Sequence, residues 1–203
     1  MNKKELWIAT SNEGKIEEFK LLLPSYEIKS VKDLTDYVEP EETGETLLEN
    51  ALIKAQALSK HINGWAIADD TGYFFDALDG FPGVYSKRWA CPVTDFKEIC
   101  KMILDKTKKS TNKNMSMQTA IVICNYSKNA CYEALGITKG KIGSQLKVSD
   151  HTFGYDYIFK PEPYNVYCAD LTEMEKVNCS ARAYALIEMR KIIEGEIIDE
   201  KSS

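Results

Sequence analysis

Leu6-Trp7-Ile8-Ala9-Thr10-Ser11-Asn12-Glu13-Gly14-Lys15 is the stretch that decides the fold. The apolar run Leu6 to Ala9 reads as a short strand that ends in a polar turn. Behind the turn, Ile16, Phe19, Leu22 and Leu23 are spaced for one face of a helix. Pro24 then stops that helix, because its ring clashes with the preceding turn and it has no N–H to donate. Strand, turn and helix in this order open an α/β fold.

Working outward, Tyr26 to Val31 reads as a second strand, followed by an acidic loop through Glu39-Pro40-Glu41-Glu42-Thr43-Gly44. Leu47, Leu48, Ala51, Leu52, Ala55, Leu58 and Ile62 line one side of a strong helix. Asn63-Gly64 supplies the left-handed close that such a helix needs. Trp65 to Ala68 is a short buried strand running into Asp69-Asp70-Thr71-Gly72. A helix is expected over Asp95 to Leu104, and a hairpin over Met115–Cys124 and Ala130–Ile137, with a third strand over Gly140 to Val148. Thr172-Glu173-Met174-Glu175 has the form of a capping box, and Ala183, Leu186, Ile187 and Ile193 mark the inner face of the last helix. Residues 195–203 read as a frayed tail. The expected architecture is α/β: a mixed, elongated central sheet with flanking helices, forming two lobes around a nucleotide cleft.

The 203 residues suffice for one domain, or for two small lobes sharing a cleft. A net charge of -5 argues against a binder of polymeric nucleic acid, which needs a basic face. No run approaches the roughly 20 apolar residues of a membrane helix, so no membrane partner is expected. MNKKELWIAT lacks the apolar core of a secretory signal, and the expected location is cytoplasmic. The six cysteines include no C-x-x-C pair and there are only two histidines, which excludes a Cys/His zinc site. Reduced cysteines are expected, several of them packed as small hydrophobes. Any metal is then held by oxygen.

Four segments could carry chemistry. Thr10 to Lys15 is not a Walker A loop, since Ala9 stands for its first Gly and Ile16 for its Ser/Thr. The segment still favours an anion: it follows a strand, opens a helix, and sets free N–H groups beside the Lys15 ammonium and the Thr10 and Asn12 side chains. The same features describe an ordinary capped helix start. Asp69 and Asp70 follow an apolar strand, where α/β proteins place ligands, and adjacent strand residues point to opposite faces. One can face a metal or water while the other braces the loop. Glu41 or Glu42 could add a hard oxygen ligand, in keeping with magnesium's preference for a few carboxylates plus water and phosphate. Phe153-Gly154-Tyr155-Asp156 joins a flat aromatic, a glycine and a carboxylate, the makings of a nucleobase pocket or of a turn beside a packed ring. Lys176 with Ser180-Ala181-Arg182 could hold phosphates or base carbonyls, or be the wet face of a helix.

In this order the chain resembles the inosine/xanthosine triphosphate pyrophosphatases, the Ham1-like or dITP/XTP diphosphatase family. The resemblance runs through Ile8–Lys15, Glu42-Thr43-Gly44 with Glu49-Asn50-Ala51 and Lys54-Ala55, and Ala68–Gly72. Gly80-Phe81-Pro82-Gly83-Val84-Tyr85-Ser86-Lys87-Arg88 is its most specific piece, and Phe153–Asp156 and Leu171–Lys176 complete it. It implies a single domain over 1–203, a homodimer, and Mg²⁺-dependent hydrolysis of a nucleoside triphosphate to monophosphate and pyrophosphate, with ITP, dITP and XTP as preferred substrates. It further implies that Lys15 and the turn Thr10, Ser11, Asn12, Glu13 and Gly14 clamp the phosphates, and that Asp70 takes the proton of the attacking water or holds the metal. Asp69 and Glu41 or Glu42 would support that metal, while Thr71 and Lys176 would contact phosphate or sugar. Phe153 would stack on the base within the Gly154–Tyr155 turn, and Asp156 and Arg182 would read its edge.

Three residues depart from the family pattern: Ala181 replaces a His, Thr152 a Gly and Tyr157 a Pro. All fall on the base-reading pieces, so the expectation is preserved pyrophosphohydrolase chemistry with altered base preference. The alternatives are a Maf-like nucleotide pyrophosphatase, against which the Asp-Asp-Thr-Gly and Pro-Gly-Val-Tyr-Ser pieces argue, and a non-catalytic nucleotide-binding regulator.

Overall fold

The computed structural model describes residues 3–198. The chain opens with β1 (Lys4–Ile8), α1 (Glu13–Leu22) and β2 (Tyr26–Ser30). β1 and β2 pair in parallel from Lys4↔Tyr26 to Ile8↔Ser30, as a strand–helix–strand crossover requires. Asn12 is the N-cap of α1, its side chain accepting from the Lys15 N–H. Next come α2 (Leu47–Ile62), closed by Asn63 in the left-handed region, and β3 (Trp65–Phe75). The two-residue β4 (Pro82–Gly83) lies antiparallel on β3 at Tyr73↔Gly83 and Phe74↔Pro82. α3 (Phe96–Thr107), β5 (Asn114–Asn125), β6 (Ala130–Ile142), β7 (Phe159–Pro161), α4 (Glu173–Asn178) and α5 (Ala181–Ile198) follow. The strand order is β2-β1-β3-β5-β6-β7, with β4 attached to β3, so the fold is a mixed α/β sheet with flanking helices.

The chain divides into two compact units, each with its own core. Of the described residues, the first comprises 3–70, 119–136 and 182–198. Its core joins Leu6 and Ile8 of β1, Ile16 and Phe19 of α1, Ile67 of β3, Ile121 and Ile123 of β5, and Leu186, Met189 and Ile193 of α5. The second comprises residues 71–118 and 137–181, and gathers Tyr73, Phe75, Ile99, Cys100, Ile103, Ile142, Tyr155, Ile158 and Phe159.

Several sequence expectations need correction. β3 does not stop at Ala68: Trp65 to Asp70 are all buried, so Asp69 and Asp70 sit inside a long strand, not in a loop after a short one. The third strand over 140–148 is absent. Gly140 to Ile142 instead end β6, whose alternation of exposed and buried residues continues through Lys139, Gly140, Lys141 and Ile142. Gly140, the expected start of that strand, is instead the point where β7 comes closest, since a Cβ there would lie 2.3 Å from the Lys160 carbonyl oxygen. Ile187 is exposed, because α5 buries Ala185, Leu186, Met189 and Ile193 instead. Helix α5 continues through Ile198, so residues 195–198 are not a frayed tail, and 199–203 lie outside the described residues.

The cysteines are not all reduced. Cys124 and Cys131 form a disulfide across the β5–β6 hairpin, while Cys91, Cys100, Cys168 and Cys179 are free thiols. The two partners lie symmetrically about the turn Tyr126–Asn129, which brings their Cα atoms to 4.2 Å.

Candidate active site

In the first unit, β1 delivers the chain into the Thr10–Gly14 corner. The Asn12 N–H donates to Thr10 Oγ1 at 3.2 Å, and the Lys15 N–H donates to Asn12 Oδ1 at 3.2 Å. Glu13 and Gly14, at the first two helical positions, precede the first intrahelical bond, so their amides face outward along the axis. Ser11 is exposed, and the Glu13 carboxylate pairs with Lys32.

The Lys15 ammonium lies 2.9 Å from Asp69 Oδ2, and that oxygen also accepts from an Arg182 guanidinium nitrogen at 2.6 Å. The other arm of Arg182 pairs with Glu18, which is buried in α1. Burial would raise the Asp69 carboxyl, but the Arg182 and Lys15 charges win and hold it well below the usual carboxylate range.

Asp70 has a different environment. Asn50 of α2 donates to Asp70 Oδ2 at 3.2 Å, while Asn50 Oδ1 accepts from the Gly44 N–H at 2.8 Å. One helix residue thus ties the acidic loop to the strand. Lys54, one turn further along α2, places its Nζ 2.9 Å from Glu42 Oε1, 2.7 Å from the Asp69 carbonyl oxygen and 3.8 Å from Asp70 Oδ1. Burial raises the Asp70 carboxyl above its ordinary value, against the pull of Lys54 and Lys15. Lys54 is held above its own, because Asp70, Asp69 and Glu42 outweigh the cost of burying it. Two adjacent acids thus shift in opposite directions: Asp69 is braced and held low by its cations, whereas burial holds Asp70 high.

The four acids expected around a metal do not converge. Among the described residues no group of three or more His, Cys, Asp or Glu is arranged to hold an ion. Glu41 is exposed and Asp69 Oδ2 is committed to Lys15 and Arg182. Asp70 and Glu42 share the Lys54 ammonium as neighbour, and two carboxylates plus substrate phosphates are a set that Mg²⁺ accepts. Charge points the same way. Three cations, Lys15, Lys54 and Arg182, face four carboxylates, Glu18, Glu42, Asp69 and Asp70. A polyphosphate enters such a cluster only with further positive charge, so the donor set fits a divalent ion.

In the second unit, Phe153 is exposed at the head of a 3₁₀ turn over Gly154–Tyr157, with Gly154 at φ +64°. Asp156 is buried, and its Oδ2 accepts from Lys176 Nζ at 3.0 Å and from the Phe153 N–H at 3.4 Å. The Lys176 ammonium also donates to the His151 carbonyl at 2.7 Å and lies 4.5 Å from the Phe153 ring centroid. Tyr155 does not face outward: its hydroxyl donates to the Ser86 carbonyl at 2.9 Å and accepts from Trp89 Nε1 at 2.6 Å. It anchors the turn against the Gly80–Arg88 segment. Thr71 is half-buried in β3, beside Asp70 in the chain.

Three buried polar residues were given no role from the sequence alone. Asn50 and Lys54 fall on the helix face that also carries Leu47, Ala51, Ala55 and Leu58. A polar residue on such a face is costly unless partnered, and that was the available signal. Glu18, between Ile16 and Phe19, carried the same one.

Known proteins share this fold and much of this sequence. Residues 6–192 match the Ham1 family. A dITP/XTP pyrophosphatase of Oceanobacillus iheyensis is 36% identical over 195 residues, covering 93% of this chain and 97% of the relative. Another, from Staphylococcus aureus, is 32% identical over 95% of this chain and 98% of its own length. Among solved structures, the S. aureus Ham1 protein superposes with a TM-score of 0.83 at 32% identity, covering 95% of this chain and all 100% of that one. A HAM1 protein from Coxiella burnetii gives 0.83 at 30% identity, over 94% and 98% of the two chains. With its fold and its matched span in agreement, the chain belongs to the Ham1 family.

Proposed function

We propose that the chain acts as a single-domain nucleoside triphosphate pyrophosphohydrolase, releasing pyrophosphate from deaminated purine triphosphates such as ITP, dITP and XTP. Its relatives are named dITP/XTP pyrophosphatases. The observation that carries the proposal is the split between two buried neighbours, Asp69 held low by Arg182 and Lys15, and Asp70 raised by burial against the pull of Lys54 and Lys15.

In this reading the Thr10–Gly14 corner and Lys15 bind the phosphates. The outward amides of Glu13 and Gly14 receive oxygens, and Lys15, paired with Asp69 against the cost of its burial, donates to them. Ser11 adds a hydroxyl. Asp70 accepts the proton of the attacking water. Burial makes its carboxyl the more basic of the pair, and Asn50, donating to Oδ2, holds the carboxylate in place. Arg182 is already engaged by Asp69 and Glu18, so it acts first as a brace for Asp69, and base reading falls to Asp156 with Phe153 as stacking surface. Lys176 and Thr71 contact phosphate or sugar. A divalent ion, Mg²⁺ by donor chemistry, would be held by Asp70 and Glu42, and would neutralise polyphosphate charge and acidify water.

The test is pyrophosphate release with and without Mg²⁺. Asp70→Asn keeps the shape and the Asn50 neighbour but cannot take the proton, so turnover should drop by about 10²- to 10⁴-fold without loss of folding. Full activity in that variant would take Asp70 out of its role, and nucleotide binding without any wild-type turnover would make the chain a regulator. No described helix is long and apolar enough to cross a membrane. A cytoplasmic homodimer completes the proposal, and sedimentation at a single monomer mass would remove the dimer.

A further inference from the structure

Tyr73 lies in β3, three residues beyond Asp70. Its N–H donates to Ser86 Oγ at 2.8 Å, and Ser86 in turn donates to the Gly83 carbonyl at 2.6 Å, so the backbone at this point is fixed to the β4 segment. The ring is fixed too, packed 4.7 Å from Tyr155 and edge-on to Phe159 at 6.3 Å. These contacts leave the hydroxyl little freedom, and they aim it at Asp156 Oδ1, 3.4 Å away.

We infer that Tyr73 is a positioning residue for base selection, whose hydroxyl orients the Asp156 carboxylate so that Oδ1 can accept a ring N–H from a 6-oxopurine. This rests on the reading above that Asp156 faces the base. Oδ2 is taken by Lys176 Nζ and the Phe153 N–H. A carboxylate offers about four lone-pair sites, so the three donors leave one, on the oxygen that Tyr73 holds. Hypoxanthine, xanthine and guanine carry a hydrogen on N1 that this site accepts. Adenine carries a lone pair there, which would meet the carboxylate oxygen head-on and be repelled. Lys176 and Phe153 both act on Oδ2 and leave the carboxylate free to turn about that side. Tyr73 acts from another element and sets the plane.

The test compares kcat and KM for ITP and ATP in the wild type, Tyr73→Phe and Asp156→Asn. Phenylalanine keeps the ring contacts and the backbone bond and removes only the hydroxyl. The expected result is a drop of about fivefold in the ratio of kcat/KM for ITP over ATP, carried by the KM for ITP, as for the loss of one hydrogen bond. Asp156→Asn should lower the ratio further. A general loss of stability would reduce both substrates together and leave the ratio unchanged, so thermal melts beside the kinetics separate packing from selection. An unchanged ratio in Tyr73→Phe, with a collapsed one in Asp156→Asn, overturns the role of Tyr73 and keeps Asp156 as base reader. An unchanged ratio in both variants removes Asp156 as well.

Discussion

At the residue scale the molecule turns on how differently it treats two adjacent aspartates. Asp69 is almost fully buried and holds two cations, Lys15 and Arg182. Removing its charge leaves both facing a neutral amide, so Asp69→Asn should cost about 3 kcal/mol, as for one broken buried pair. Because the folded carboxyl lies below its ordinary value of 3.8, its stabilisation is present above that value and is lost only as pH falls through the lower folded one. Urea unfolding at pH 7, 5 and 4 should therefore show the same gap between wild type and variant, closing only at lower pH. A gap that closes between pH 7 and 5 would mean that Asp69 is not the charge that matters. The importance of the aspartate pair was legible, since two charges directly after Ala66-Ile67-Ala68 need a use. That the two point to opposite faces was expected as well, but the partners of each were not legible, because Asn50, Lys54, Glu18 and Arg182 lie far away in sequence.

At the element scale the same contrast applies to the β5–β6 hairpin. Both strands of the hairpin were readable in the sequence, over Met115–Cys124 and Ala130–Ile137. The disulfide was not, because six scattered cysteines give no pairing until strand register is known. Once the turn is placed, Cys124 and Cys131 must stand opposite each other. Linking residues seven apart constrains the unfolded chain by about 2.5 kcal/mol. The double variant Cys124→Ser/Cys131→Ser, or the wild type under reductant, should lose about that much in chemical unfolding. Identical midpoints with and without reductant would show that the bond contributes nothing. The misplaced third strand has a related cause: Gly140, its expected start, is the glycine that lets β7 approach β6.

At the scale of the whole molecule, three departures from the family pattern fall in one unit, and two have visible structural work. Thr152 closes its own turn, with Oγ1 donating to the Ser149 carbonyl at 2.9 Å and accepting from the Ser149 N–H at 2.8 Å. The Tyr157 ring is half-buried against the core of the second unit. Ala181 is fully buried at the start of α5 and brings no polar group to the base. A panel of ITP, XTP, dUTP, GTP and ATP should therefore show discrimination between ITP and GTP of less than about tenfold, since one hydrogen-bonding contact to the base is missing. Strong selectivity for ITP would mean that the missing imidazole was dispensable.

The sequence by itself determined the α/β class, the strand-to-helix corner, the aspartate pair and the family, because each is written in neighbouring residues: apolar period, cap, turn and contiguous motif. The tertiary structure alone decided which cation answers which carboxylate, which cysteines join, and that Tyr73 reaches Asp156. Those are contacts between residues many positions apart. Their energies depend on burial and on distances of a few ångströms, which no local pattern encodes.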